Sequence, residues 1–543
     1  MAETEVLVLG AGAAGYQAAV AARLLGPRVV LAYAGHGASP HLLGCNALVG
    51  GAPVGDSAEQ YAADMLEAGG GLNDRRLVQA LVVQAAKTFE ELSAIGVPFP
   101  RDAAGAPLRR HLSGNSHPRS LYVPDGTGRA ILQRLAAESH RLGVEHWPGW
   151  RALLLLREGD RVIGAVLANP SSGEARAVLA RVVVLATGGI GRVYLDSTYP
   201  TDVAADSCAL AFRAGARLLD LEFVQFEPTI VVHPEGCRGM EIPTAMLGDG
   251  AHLLNAQDER FMFRYNPAHG ERFIEKARLA LCIQAEIDAG RGLPDDTVWV
   301  DTTVLPRETL EGYVSHCRRL RSAGLDPATE RPHIRPAAHS HMGGIRIDAE
   351  GWTGVPGLYA SGEAAGGVHG ASRIAGNGGA TAVAFGHLVG AAAGRAAASQ
   401  PAAADPRSAL DRAAGLCGAL ATGLGPDECR QVQEALQRTM SRYAGLRRSG
   451  DGLRAAAAQL RELEGRLGAG ALGDLAAFLP GLSARNMLLG ARLITEAALL
   501  RTESRGAHQR TDCPTRNDED WLRHITFRAG PGGEVVMEPL PIA

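Results

Sequence analysis

The stretch "GVHGASRIAGNGGATAVAFG", residues 367 to 386, carries one charged side chain, Arg373, among glycine, alanine and apolar residues. A guanidinium in such surroundings needs an anion, and its planar fork of donors matches a carboxylate. His339 and His341, in "AAHSHMGGI", add two rings spaced at i and i+2, with no acidic or cysteine neighbour to complete a metal site. At the start of the chain Gly10, Gly12 and Gly15 form GxGxxG directly after the apolar run Val6 to Leu9. Glycines at that spacing let the backbone turn tightly and approach a pyrophosphate, whose charge sits at the following helix N-terminus. The acid that would hold a ribose hydroxyl at the end of the next strand is missing; the chain reads Leu31, Ala32, Tyr33 there.

These groups need a scaffold, and the sequence supplies strands that end in glycine. "EVLVLGAGAAGYQAAVAARLLGPRVVLAY" reads as strand, turn, helix, strand. "ARVVVLATGGIG" ends in Gly188 and Gly189, and "GVPGLYASGEAAGG" in Gly362 and Glu363. Three such ends predict one doubly wound α/β sheet presenting its carboxyl edge to a long ligand. The texture between the second and third strands differs, with the periodic "ERFIEKARLALCIQAEIDAG", and reads as an inserted domain. After residue 400 the chain turns helical; Leu453, Ala457, Leu460, Leu463 or Glu464, and Leu467 predict one buried face. The tail from about 515 reads as irregular, with a hairpin or turn at "RAGPGGEVV".

Composition bounds the alternatives. The chain has 543 residues, 46% hydrophobic and 21% charged, with a net charge of −4, which is globular and gives no basic surface for nucleic acid. The alanine-rich run after Gly378 is too small in side chain, and too interrupted by His387 and Arg395, for a transmembrane segment. The opening "MAETEVLVLG" shows no secretory pattern, so the expected location is cytoplasmic. Eight cysteines lie singly with no CxxC, so an iron–sulfur cluster within this chain is not expected, and reduced, mostly buried thiols are.

The set "GAGAAG", "ATGGIGRVY", "LEFVQFEPT", "AAHSHMGGI", "GLYASGEAAGGVHGASRIAGN" and "ESRGAHQRTDCP" resembles the fumarate reductase and succinate dehydrogenase flavoprotein family, and within it the L-aspartate oxidases. The resemblance implies FAD and a discontinuous Rossmann-like FAD-binding domain at 1–232 and 335–400. It further implies an α+β capping domain at 233–334, a C-terminal helical domain at 401–514 and a tail at 515–543. The cofactor residues it implies are Gly10, Gly12, Ala13, Ala14, Gly15, Asn46, Gly50, Gly51, Thr187, Gly188, Gly189, Asp206, Gly362, Glu363, Arg373 and Asn377. The helix after Asn377 is expected to aim its N-terminus at the flavin pyrimidine ring. His339 and Arg373 are expected to grip a substrate carboxylate, with His341, Thr229 and His369 nearby.

The departures carry their own information. Gly44 stands where covalent members have histidine, so FAD is expected to be non-covalent. The usual QFHPT reads "QFEPT", placing Glu227 where a histidine would hold the distal carboxylate of a dicarboxylate. Two carboxylates repel, which argues against succinate or fumarate in the usual pose. Leu281, Thr244 and Leu247 fall at the three positions of the family's proton relay; Arg278, one turn before Leu281, can substitute, and Asp249 keeps an acid nearby. The glutamate that aspartate oxidases carry is absent from "HLSGNSHPRS". The expectation is therefore hydride transfer from a small amino or carboxylic acid to flavin N5, at a C–N bond. Arg373 and His339 hold the carboxylate, Glu227 orients a substrate cation, Arg278 stands in reserve, and O2, fumarate or quinone serves as acceptor. The alternatives are a flavoprotein subunit with an iron–sulfur partner, fumarate reductase-like or adenylylsulfate reductase-like, and a redox-inactive flavin-binding homologue.

Overall fold

The computed structural model describes residues 1–49, 55–124 and 126–542. β1 (Ala2–Leu9) runs through the glycine turn into α1 (Ala13–Arg23) and then β2 (Val29–Tyr33). β3 (Glu145–Pro148) extends the sheet beyond β2, and β4 (Glu174–Leu185) pairs in parallel with the other side of β1. Val6, Leu7 and Val8 are fully buried, as strands covered on both faces must be.

β5 (Val224–His233), α2 (Lys276–Glu286) and β6 (His333–His341) belong to the second part of the molecule, where β5 and β6 pair antiparallel. A separate apolar core there runs from Val231 to Ile334 and includes Met246, Leu247, Leu279 and Ile283. The chain then returns to the first sheet: β7 (Leu358–Ala360) pairs in parallel with β4. Leu9 is opposite Leu185 and Leu185 opposite Ala360, so β1, β4 and β7 end in register. That register places the three glycine-bearing ends side by side.

α3 (Asn377–Ser399) explains the alanine and glycine of its sequence by its packing. A Cβ at Gly390 would lie 2.2 Å from the Ala18 carbonyl oxygen, and one at Gly386 2.8 Å from that of Ala14. The i, i+4 glycine row thus meets the alanine row of α1 backbone to backbone.

The three long C-terminal helices span Pro426–Tyr443, Gly450–Leu467 and Leu475–Leu500. The Gly450–Leu467 helix buries Leu453, Ala456, Leu460, Leu463 and Leu467; Ala456 replaces the expected Ala457, and Glu464 stays exposed. The tail is more regular than its composition predicts. Arg523–Ala529 and Val535–Pro541 pair antiparallel around the expected turn, and the hairpin joins the short strand Leu218–Leu219. Among the described residues, no helix is long and apolar enough to cross a membrane. The cysteines are free thiols; all but Cys417 and Cys513 are buried.

Candidate active site

The in-register ends of β1, β4 and β7 open onto a cavity of about 2180 Å³, lined by Gly10, Gly12, Thr187, Gly188, Gly362 and Glu363 among others. A drug-sized ligand needs only ~300–1,000 Å³, so this space suits a dinucleotide together with a small substrate. Gly10 sits at φ 103°, and a Cβ there would fall 2.4 Å from the Ala186 carbonyl oxygen, so the turn admits no side chain. Thr187 Oγ1 and Ser361 Oγ, just past the ends of β4 and β7, are buried without a partner and line the cavity. Orphaned polar atoms are costly unless a ligand meets them. At the other side α3 begins at Gly376 with φ 90°, no side-chain cap and no acid in its first turn, and Gly378 and Gly379 line the cavity. Uncapped N–H groups at that end carry positive potential toward the cavity. Both features fit FAD.

Arg373 lines the same cavity, half-buried, just before α3. Its Nη1 donates to the Ile374 carbonyl at 3.2 Å, its Nε is buried without an acceptor, and it forms none of the ion pairs found among the described residues. Burial pulls its pKa down, opposed by the fields of Glu363, Glu227, Tyr199 and Glu241. His339 owes its position to a bulge. Gln225 pairs with Ser340 and Phe226 with Ala338, which leaves His339 as the extra residue of β6. Its Nδ1 lies 3.1 Å from Thr198 Oγ1. Burial, then Arg373, lowers its pKa to about 4, so the ring is neutral at pH 7. A neutral imidazole keeps one N–H donor and one acceptor nitrogen.

Glu227 is placed differently from the expectation. It does not stand alone: Lys276 Nζ, at the start of α2, donates to Glu227 Oε1 at 2.5 Å and to Glu241 Oε1 at 3.0 Å. All three line the cavity. Burial and the neighbouring Glu241 raise the Glu227 pKa to about 8, while Lys276 is held above its usual range. Arg278, two residues along α2, also lines the cavity and is exposed; Leu281 and Thr244 line it too. Leu247 is buried in the second core, and Asp249 accepts from the Tyr313 hydroxyl at 2.6 Å.

Other expected residues divide between cavity and scaffold. His369 lines the cavity 3.4 Å from Thr381 Oγ1, and burial lowers its pKa to about 3. His341 lines it too, but its Nε2 meets the Leu221 carbonyl at 3.1 Å. Thr229 is a correction: it is fully buried and donates to the Ile242 carbonyl at 2.7 Å, at the irregularity of β5 between Glu227 and Ile230. Asn46 is a second correction. It is fully buried, bonded to Asn115, Asn377 Oδ1 and the Ala375 carbonyl, and so fixes the start of α3. Asn377 is likewise turned inward, accepting from the Tyr61 hydroxyl at 2.7 Å. Asp206 lines the cavity but is engaged by Arg151 at 2.8 Å and by Asn486. Ala14 lines the cavity, the Ala13 N–H donates to Ser39 Oγ, and Gly15 packs on the Gly10 carbonyl. Gly189 packs on the Glu363 carboxyl, whose Oε1 accepts from the Tyr199 hydroxyl and the His341 N–H. Gly50 and Gly51 lie outside the described residues.

Sequence reasoning missed Lys276, Glu241, Thr198 and Gln225. Lys276 carried one signal, a lone ammonium two residues before Arg278 at the head of an apolar-faced helix; Glu241, in "GMEIPT", carried none.

The FAD binding domain family matches residues 5–379, and the family of fumarate reductase flavoprotein C-termini matches residues 433–542. The chain is 33% identical to one component of the fumarate reductase (CoM/CoB) of Methanothermobacter marburgensis, covering 96% of each chain. It is 35% identical to an L-aspartate oxidase of Caulobacter vibrioides, covering 94% of this chain and 93% of the relative. It overlays E. coli quinol fumarate reductase with a TM-score of 0.91 at 26% identity, covering 100% of this chain and 97% of that chain. An adenylylsulfate reductase from Archaeoglobus fulgidus shares the fold, with a TM-score of 0.78 at 19% identity, covering 100% of this chain and 96% of that chain. Cradle, architecture and relatives agree: the chain belongs to the fumarate reductase, succinate dehydrogenase and L-aspartate oxidase flavoprotein family and is an FAD-dependent oxidoreductase.

Proposed function

We propose that the chain oxidises the C–N bond of a small amino acid whose carboxylate is held by Arg373 and His339. The observation that carries this reading is the guanidinium of Arg373, half-buried in the cavity with its Nε unmet. A fork of donors in a dry site is satisfied bidentately by a carboxylate. Neutral His339 adds an N–H donor without adding charge, and Thr198 Oγ1 lies 3.1 Å from its Nδ1. Bound FAD supplies the two-electron acceptor. Glu227, bonded to Lys276, has its pKa raised to about 8, so its ionised fraction, which grows as the pH rises toward that value, can take the proton an ammonium must lose before its carbon is oxidised. The chain's residues thus bind the acid end, orient the ring and hold a proton. Gly44 leaves FAD without a covalent link, so acid precipitation of the protein releases it into the supernatant.

One observation favours a second reading. Arg278 lines the cavity and forms none of the ion pairs found among the described residues, so it is free to donate a proton at carbon, as reduction of a C–C double bond requires. The deciding experiment is anaerobic mixing of the FAD-loaded protein with a panel of amino acids and dicarboxylic acids, following loss of the oxidised flavin's visible absorbance. Bleaching by an amino acid and not by succinate supports C–N oxidation. Bleaching by succinate, or reoxidation of the reduced protein by fumarate, overturns it in favour of Arg278 chemistry.

A further inference from the structure

We propose that Lys276 and Glu241 are specificity-determining residues: with Glu227 they form a wall that receives an ammonium at the end of the substrate remote from Arg373 and turns away a second carboxylate. The assignment rests on the reading of Arg373 as the carboxylate grip.

The wall is built from three separate places. Glu227 lies on β5, Glu241 lies on a segment bridged to β5 at Ile230, and Lys276 opens α2. Lys276 Nζ ties the two acids together at 2.5 and 3.0 Å. Two acids share one ammonium, so the ammonium is balanced by one carboxylate and the other acid, Glu227, keeps its proton near neutral pH. A dicarboxylate would bring a further carboxylate to an ammonium that Glu241 already pairs, where the like charges repel. An ammonium displaces the Glu227 proton to solvent, keeps the cluster balanced and finds carboxylate oxygens to accept its N–H groups.

The second observation is at the opposite pole. Arg373 feels the fields of Glu227 and Glu241, yet it bonds to neither, and its buried Nε has no acceptor. The spacing between the poles is fixed, because Gln225, two residues before Glu227, donates to the Arg373 carbonyl at 2.8 Å. A ligand that fills the gap carries a carboxylate at one end and a cation at the other.

The rival use of the same atoms is that Lys276 turns its remaining N–H to a second carboxylate. Equilibrium titration of the FAD-loaded protein with 4-aminobutyrate, butyrate and succinate separates the two, read by visible difference spectra and by calorimetry. The wall predicts 4-aminobutyrate tightest and succinate weakest, at least about tenfold apart, and a gap closing to within about threefold in Glu241→Gln and in Glu227→Gln. Lys276→Met is expected to keep 4-aminobutyrate ahead of succinate. Succinate binding tightest in the wild type, or a preference unchanged in both glutamine variants, overturns the proposal. If one glutamine variant fails to fold, the other and the wild-type order still decide. Binding and bleaching are independent readouts. The zwitterion preference without bleaching by any amino acid sinks only the C–N reading, and bleaching without the preference sinks only the wall.

Discussion

Gln225 Nε2 donates to the Arg373 carbonyl at 2.8 Å and to Ser372 Oγ at 3.1 Å, so the strand that carries Glu227 also holds the backbone of the guanidinium. Glu227 and Arg373 are therefore tied together through Gln225. Replacing Gln225 by Leu leaves a buried carbonyl unmet, which costs about 1–3 kcal/mol and loosens the Arg373 loop. The expected result is a KM for the carboxylate substrate raised about tenfold with kcat changed less, and an unaltered far-ultraviolet circular dichroism spectrum. An unchanged KM would show that the loop is held by its other contacts.

Arg373 is kept at a cost to the fold. Its pKa is pulled down by burial, and no carboxylate is bonded to it in return. Arg373→Met removes the desolvated charge while keeping the volume of the stem, so the ligand-free protein should melt at a higher temperature, by about 1–3 kcal/mol in stability. The same change should abolish carboxylate binding in difference titrations. A lower melting temperature would mean that the guanidinium has a structural anion.

Arg373 and His339 are legible in the sequence because each is a charged or titratable residue in a run where little else is. The three strand ends are legible because each stops in glycine, and the sheet brings them into register at Leu9, Leu185 and Ala360. What is set by side-chain bonding is not legible. The count of charges near Glu227 depends on Lys276, forty-nine residues away in the chain, and no local pattern encodes that contact. Asn46 and Thr229 depart from expectation for a related reason: a polar residue beside a cofactor motif can bond inward as readily as outward. The tail reads as irregular because its strand alternation is weak, yet Asp220 pairs with His524 at 2.6 Å and fastens the hairpin to the sheet.

The motif "ESRGAHQRTDCP" contributes a brace. Glu503 is fully buried and accepts from Arg501 at 3.2 Å, from Arg505 at 2.7 Å and from the Asn517 N–H at 2.8 Å. Arg505 reaches the Gly70 carbonyl, and the Ala507 N–H donates to the Ala371 carbonyl, two residues before Arg373. Glu503→Gln leaves two buried guanidiniums short of charge, so a loss of about 3–5 kcal/mol is expected. Thermal melts should show it, with faster proteolysis near residue 371 as the local sign. A melting temperature within about 1 °C of wild type would show that Glu222, bonded to Arg501 at 2.6 Å, and Asp518, bonded to Arg505 at 2.7 Å, hold the network without it.

The Glu227 cluster sets a pH signature in stability. The folded protein keeps the Glu227 proton up to about pH 8, against an ordinary value of 4.5. Between those values the folded state binds more protons than the unfolded chain, so stability falls as pH rises through that window and levels off above it. Glu241 is shifted downward and Lys276 upward, so neither changes charge in the same interval. His339, with its pKa lowered to about 4, acts with the opposite sign and only below its ordinary 6.5, which leaves the interval from 6.5 to 8 to Glu227 within this cluster. Melting temperatures of wild type and Glu227→Gln measured across that interval should converge as the pH falls, with the wild type losing ground as the pH rises. Parallel curves would mean that Glu227 is already ionised at pH 6.5, and that Lys276 compensates both acids fully.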